Sequence, residues 1–207
     1  MKKIAIVGYK GKMGRPIFLA LEEKYEVIGI GREDSLESYL DLDLVIDVAS
    51  ASSSMRSAEY CLKQNLPIII VSTGHTAEEN NKLLEISKKI LLIKKANFSC
   101  CMNNLRLFID EAVRLKPCRA EIVEVHHVHK KDSPSGTALE IKKYIESRFD
   151  GVVDILSFRE GEVTGEHSVS FDFGDEKLTI KHDVFSREVF VKGVVLEVKK
   201  LFQDFDV

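Results

Sequence analysis

Three histidines and two lysines fall within six residues, His126 to Lys131, in the stretch "EVHHVHKKDSPSGTAL" that runs from Glu124 to Leu139. Imidazole and ammonium groups are side chains that hold and deliver protons. The residues that follow, Ser133-Pro134-Ser135-Gly136-Thr137, form a turn that opens a helical pattern. A helix N-terminus presents unpaired backbone N–H groups, so Gly136, Thr137 and the Thr137 hydroxyl make a ready carboxylate or phosphate site. His126 and Lys130 are then candidate proton carriers, and a cationic His127 or His129 could hold a second anion. His127 and His129 also share one face of the expected strand, which makes a metal site conceivable. That site lacks a third ligand, and the adjacent lysines oppose a cation, so no metal is expected.

A second set of chemically capable residues opens the chain. In "KIAIVGYKGKMGRPIF" an apolar strand meets Gly8, Gly11 and Gly14, with Tyr9, Lys10, Lys12 and Met13 between them. A dinucleotide site needs backbone N–H groups close to a pyrophosphate, at a helix N-terminus whose dipole favours the anion. The familiar fingerprint is G-x-G-x-x-G, whereas this turn reads G-x-x-G-x-x-G with Lys10 where a glycine would stand. Lys10 and Lys12 add positive charge beside the expected phosphates. Past the second strand the sequence reads Gly31-Arg32-Glu33-Asp34. A guanidinium clamps a 2′-phosphate bidentately, whereas a carboxylate at that place holds a ribose hydroxyl. Arg32 therefore favours NADPH, with NADH possible.

These groups need elements to position them. The chain has 207 residues, 44% hydrophobic and 30% charged, with a formal net charge of −3. That balance fits a globular protein and gives no reason to expect nucleic acid as a partner. No apolar run reaches the ~18 residues of a membrane span, and no signal-peptide pattern follows Met1. A cytoplasmic protein without a membrane partner is expected, its four cysteines reduced. Strands at Ile4–Val7, Tyr25–Ile30, Leu44–Val48, Ile68–Val71 and Ile90–Lys94 alternate with helices at Pro16–Glu23, Met55–Gln64 and Ala77–Lys88. Continuous apolar strands separated by helices imply a parallel sheet covered on both faces, with ligands at the strands' carboxyl ends. After Phe98 the pattern changes. Helices are expected at Asn103–Leu115 and Thr137–Arg148, and strands at Ala120–His127 and Val152–Phe158. "EHSVSFDF" and "EKLTIKHDVF" alternate around Gly174-Asp175, as an antiparallel hairpin does. A last helix covers Arg187–Phe202. The fold class is α/β, a Rossmann-like dinucleotide-binding domain followed by a smaller α+β domain with a mixed sheet.

The Glu124–Leu139 stretch resembles the E-x-H-H-x-x-K-x-D-x-P-S-G-T-A signature of the 4-hydroxy-tetrahydrodipicolinate reductase (dihydrodipicolinate reductase) family. Gly8, Gly11, Met13 and Gly14 are similar to that family's G-x-x-G-x-M-G opening, so its spacing is not a damaged fingerprint. Ser72-Thr73-Gly74, Ala96-Asn97-Phe98-Ser99, "SFREGEVTGEHSVSF" and "HDVFSREVFVKG" resemble further family segments, in order, over nearly the whole chain. The resemblance implies an NAD(P)H-dependent reductase acting on a cyclic dicarboxylate in the diaminopimelate route to lysine. It implies His126 as acid/base and Lys130 as proton donor, the two not being distinguishable as the source of the proton. Substrate carboxylates are implied at His127, Gly136 and Thr137. The nucleotide is implied at Gly8 to Met13, at Val71, Ser72 and Thr73, and at Lys95, Ala96, Asn97 and Phe98. A discontinuous nucleotide domain (1–97 and 186–207), a substrate and oligomerisation domain (98–185) and a homotetramer are likewise implied. Two features depart from the pattern: Gly31 stands where the family has an acid, and His75 where an aromatic residue is common.

Overall fold

The computed structural model describes residues 1–204. The chain folds into two compact units, Met1–Phe98 with Phe190–Val207, and Ser99–Val189.

The first unit begins with β1 (Lys3–Val7), α1 (Gly14–Leu21) and β2 (Glu26–Ile30). It continues with β3 (Leu44–Asp47), α2 (Ala51–Gln64), β4 (Ile68–Ile70), α3 (Ala77–Ser87) and β5 (Leu92–Lys94). The five strands are parallel, in the order β2-β1-β3-β4-β5. Unbroken apolar strands follow from a sheet with two buried faces. Ile4, Ile6, Leu44, Ile46 and Ile69 enter one core, and Ala5, Val45, Ile68 and Ile70 enter the other. The helices start where side chains satisfy their first N–H groups. Ser50 caps α2, and Thr76 with Glu79 forms a capping box on α3. Serine capping also explains why α2 starts four residues before its apolar pattern does.

The second unit holds α4 (Cys100–Arg114), β6 (Arg119–His126), α5 (Gly136–Glu146), β7 (Val152–Arg159), β8 (Glu166–Asp172) and β9 (Lys177–Asp183). Its mixed sheet runs β7-β6-β8-β9, with β6 and β7 parallel and the other pairs antiparallel. One face packs on α4 and α5 through Leu105, Ile109, Ile141 and Ile145. The register turns this face into rows across the sheet. Val153, Ala120, Phe171 and Leu178 form one row, and Ile155, Ile122, Val169 and Ile180 the next. The third row is polar: Ser157, Glu124, His167 and His182.

The last helix, α6 (Glu188–Phe202), adds Val191, Val194 and Val198 to the core that holds Ile4, Ile17 and Phe98. Gly193 permits that approach, since a Cβ there would stand 1.8 Å from the Phe98 carbonyl oxygen. Among the described residues no helix is long and apolar enough to cross a membrane.

Candidate active site

The glycine turn follows β1 at the carboxyl edge of the parallel sheet. Gly8 has φ +85°, a conformation that suits glycine, and a Cβ there would stand 2.9 Å from the Ala49 Cβ. Gly14 begins α1 hard against the same turn, where a Cβ would lie 2.2 Å from the Gly8 carbonyl oxygen. The turn is closed by Gly11 N–H to Gly8 O at 2.9 Å and Gly8 N–H to Ile30 O at 2.9 Å. Beside it lies a cleft of about 1250 Å³ lined by Gly8, Gly11, Lys10, Lys12, Met13 and Arg32, among others. The residues present fit a dinucleotide: a backbone pinched too tight for side chains, at a helix start, with exposed cations around it. Behind the lining residues Ala49, Ser53 and Ser57, Asp47 is fully buried and accepts from Ala49 N–H, Ser53 Oγ and Ser57 Oγ. Burial pushes its carboxyl up despite those bonds.

Other sequence candidates on this unit lie elsewhere. Tyr9 does not line the cleft. Its ring packs over Gly29, where a Cβ would come within 2.5 Å, and lies 5.8 Å from Phe18. Val71, Ser72 and Thr73 follow β4, and Lys95, Ala96, Asn97 and Phe98 follow β5, at the same carboxyl edge but outside that cleft. Lys95 pairs with Glu197 at 3.1 Å, and the Phe98 side chain is core. His75 Nε2 lies 2.7 Å from Ser54 Oγ, which Ser72 Oγ also contacts at 3.2 Å, so the loop after β4 is tied to α2. Burial first, and the Lys94 charge second, depress the His75 pKa.

On the second unit the polar row of the sheet builds a different kind of site. Glu124 is fully buried, and its carboxylate contacts His126 Nδ1. It also accepts from Ser135 N–H at 3.2 Å and from Arg159 at 3.0 Å. Burial opposes its ionisation, but neighbouring donors and cations, Arg159 and His126 among them, outweigh that and hold the carboxyl below its usual value. An ionised Glu124 accepts the proton of Nδ1, which leaves His126 Nε2 as the free nitrogen. Nε2 faces Gly165, where a Cβ would stand 3.2 Å away. Burial depresses the His126 pKa, and Glu124 only partly offsets it, so Nε2 is unprotonated at neutral pH.

Ser135 caps α5, accepting from Ala138 N–H, and its Oγ also lies 3.2 Å from His167 Nε2. His167 sits across from Glu124 in the β6–β8 register, and its ring is 5.1 Å from that of His126. Burial depresses its pKa to about 3, so it is neutral at physiological pH. The next imidazole of the row, His182, meets Ser99, the cap of α4, at 3.2 Å. Thus each N-cap serine of the unit's two helices contacts a histidine of the polar row, buried at His167 and half-buried at His182.

Thr137 is buried and Gly136 half-buried at the start of α5, beside this cluster. Lys130 Nζ is held by both oxygens of Asp132, at 2.7 and 2.9 Å. Arg159 links the two halves of the site, reaching Glu124 with one nitrogen and the Asp132 carbonyl with another. The expectation that His127 and His129 share a strand face is corrected. The strand ends at His126, and a turn closed by Lys130 N–H to His127 O carries both residues off the sheet. Their rings lie 6.2 Å apart, and His129 is exposed beside Glu162. A different trio, Glu124, His126 and His167, offers donor atoms within 4.8 Å of one another. Lys130 and Arg159 stand beside it, and their charge disfavours a metal ion there.

Sequence reasoning assigned no role to Glu124, Arg159 or His167. The signal was available in two of them. Glu124 and His126 fall in the buried phase of β6 with Ala120 and Ile122, and His167 in that of β8 with Val169 and Phe171. A polar side chain in the apolar phase of an alternating strand marks a satisfied buried group.

The two units carry the parts of an NAD(P)H-dependent oxidoreductase. The chain belongs to the dihydrodipicolinate reductase family: the family's N-terminus matches residues 2–98 and its C-terminus residues 102–205. The 4-hydroxy-tetrahydrodipicolinate reductase of Archaeoglobus fulgidus is 30% identical, over 95% of this chain and 93% of its own. That of Thermosipho africanus is 32% identical, over 95% and 90%. A dipicolinate-bound dihydrodipicolinate reductase from a Paenisporosarcina species shares the fold with TM-score 0.74 and 22% identity, covering 98% of this chain and 95% of its own.

Proposed function

We propose that this chain reduces 4-hydroxy-tetrahydrodipicolinate to tetrahydrodipicolinate with NAD(P)H, in the diaminopimelate route to lysine. The observation that carries the reading is the buried Glu124–His126 pair built onto the N-terminus of α5, inside a chain of this family. A bound nicotinamide supplies a hydride from its C4. The protein's own residues do the rest. Thr137 and the first N–H groups of α5 hold one substrate carboxylate, and His127 with nearby cations holds the other. Those contacts stabilise the negative charge that hydride addition places on the substrate ring. Lys130 delivers the proton, and the 4-hydroxyl of the substrate leaves as water, so that one hydride and one proton are taken up and one water is released. His126 is the poorer donor because its Nδ1 proton is committed to Glu124 and its Nε2 is bare. Its role is to accept a hydrogen bond from the substrate and to shape the field in which Lys130 gives up its proton.

The first unit binds the nucleotide, with its phosphates at the Gly8–Met13 turn and the nicotinamide end near Thr73 and Asn97. NADPH is preferred over NADH because Arg32 lines the cleft at the end of β2 and Gly31 stands where an acid would. The open face of the second unit's sheet, with Val123 beside Leu156 and Val125 beside Phe158, supports self-association into a homotetramer. The test is NADPH oxidation with freshly generated 4-hydroxy-tetrahydrodipicolinate. Substrate-dependent loss of nicotinamide absorbance is expected; folded, NADPH-binding protein without turnover would leave a nucleotide sensor instead.

A further inference from the structure

The nucleotide cleft has a second guanidinium that no sequence motif points to. Ser50, Ser53, Ser57 and Tyr60 are spaced to lie on one face of α2, and this face, with Arg56, forms a wall of the cleft. The strand order β2-β1-β3 places the loop after β2 on one side of the Gly8 turn and α2, which follows β3, on the other. Arg32 and Arg56 therefore enter the cleft from opposite sides of that turn.

Neither guanidinium has a hydrogen bond or ion pair among the described residues. Arg114, Arg119, Arg148 and Arg159 are each tied to a carboxylate. The acids beside the cleft are partly occupied by local bonds: Asp34 accepts from Gly31 N–H at 2.7 Å, and Glu37 from the Ser35 hydroxyl. Glu33 is the third. Against these three stand Lys10, Lys12, Arg32 and Arg56. A pyrophosphate over the glycine turn accounts for the two lysines. The buried Asp47, whose charge Arg56 also feels, is bonded to Ala49, Ser53 and Ser57, so two planar, five-donor groups are left without a hydrogen-bonded anion.

We infer that Arg56 and Arg32 together form the recognition site for the 2′-phosphate of NADPH, so that Arg56 is a second specificity-determining residue. This rests on the NADPH preference proposed above. A phosphate dianion presents three oxygens and can be gripped by two guanidinium forks at once. A ribose hydroxyl offers nothing comparable, so the second arginine discriminates between the nucleotides rather than merely attracting both.

The test is calorimetric titration of the whole protein with NADPH, NADH, adenosine 2′,5′-bisphosphate and 5′-AMP, which needs no turnover. Wild type, Arg32→Gln, Arg56→Gln and Arg56→Lys are compared. Arg56→Gln is expected to weaken NADPH and the bisphosphate by about tenfold or more, and NADH and 5′-AMP by less than about threefold. Arg56→Lys keeps the charge without the fork and should fall between. If wild type binds NADPH and NADH alike, the NADPH reading fails and this inference with it. Should wild type prefer NADPH, with Arg32→Gln removing the preference and Arg56→Gln leaving it intact, Arg56 alone is overturned. Equal weakening of all four ligands by Arg56→Gln also overturns it, since that is general attraction or a damaged cleft.

Discussion

The Nδ1–H of His126 is donated to the buried carboxylate of Glu124, two residues earlier on the same strand face. This fixes the imidazole in the tautomer that presents a bare Nε2. The same carboxylate accepts from the N-cap residue of α5 and from Arg159, so one buried charge sets three parts of the site. Removing a partner from such a network leaves the others unsatisfied.

Replacing Glu124 with Gln should lower kcat by about 10²-fold or more, because the amide can donate to Nδ1 and release the opposite tautomer. The pH profile adds a readout that simple loss of stability would not move. Wild-type activity should fall as His126 gains a proton, on an acid limb below pH 6.5, since burial depresses its pKa. Glu124 raises that pKa, so the variant's acid limb should move to still lower pH. An unmoved limb, measured as kcat/KM against pH, would show that His126 does not govern it.

Lys130→Ala should reduce kcat by roughly 10²–10⁴-fold if Lys130 is the proton donor. Steady-state kinetics at saturating substrate checks this, and an unchanged kcat removes Lys130 from the mechanism. Its side chain is held by Asp132, so Asp132→Asn should disturb its placement and lower kcat less severely.

His167 bears on stability rather than chemistry. Its pKa is about 3 in the folded protein against 6.5 unperturbed, so the unfolded chain binds the proton more readily. Stability is therefore full above pH 6.5 and is lost as pH falls from 6.5 towards 3. The loss from this one group is about 1.4 kcal/mol per pH unit within that window. Urea unfolding at pH 7, 5 and 4 should show a shallower decline in His167→Gln than in wild type. Parallel declines would mean that His167 protonates freely when folded.

Gly14→Ala tests the nucleotide turn. The new Cβ would lie 2.2 Å from the Gly8 oxygen and 2.7 Å from the Tyr9 Cα, both backbone atoms that cannot swing aside. The substitution should cost about 1–3 kcal/mol of stability and weaken both nucleotides together. Thermal melting with and without NADPH reads both effects. Wild-type affinity in the variant would show that the turn does not shape the phosphate site.

Most of the architecture was legible because it follows from local rules. Unbroken apolar strands mark a sheet buried on two faces, and the alternating second half marks one buried on a single face. Helix starts were less legible where polar residues do the capping, as in the serine run that begins α2. His126, Lys130 and the Gly136–Thr137 turn were legible because they adjoin one another in sequence. The polar row through Glu124, His167 and His182 was not, since it exists only once β8 pairs antiparallel to β6. Strand order and register are tertiary facts, and the sequence constrains them only through the phase in which polar residues fall. Arg56 is the same case at the other site, placed beside the nucleotide turn by the order of strands rather than by a motif.

Hydride transfer can be followed by the label itself. Protein is incubated with NADPH carrying deuterium at both C4 positions and with freshly generated 4-hydroxy-tetrahydrodipicolinate, and the product is weighed by mass spectrometry. One deuterium per molecule of tetrahydrodipicolinate is predicted, with the yield collapsing in Lys130→Ala. Bound NADPH with no deuterium in the dicarboxylate, in wild-type protein shown to be folded, would contradict the reductase reading.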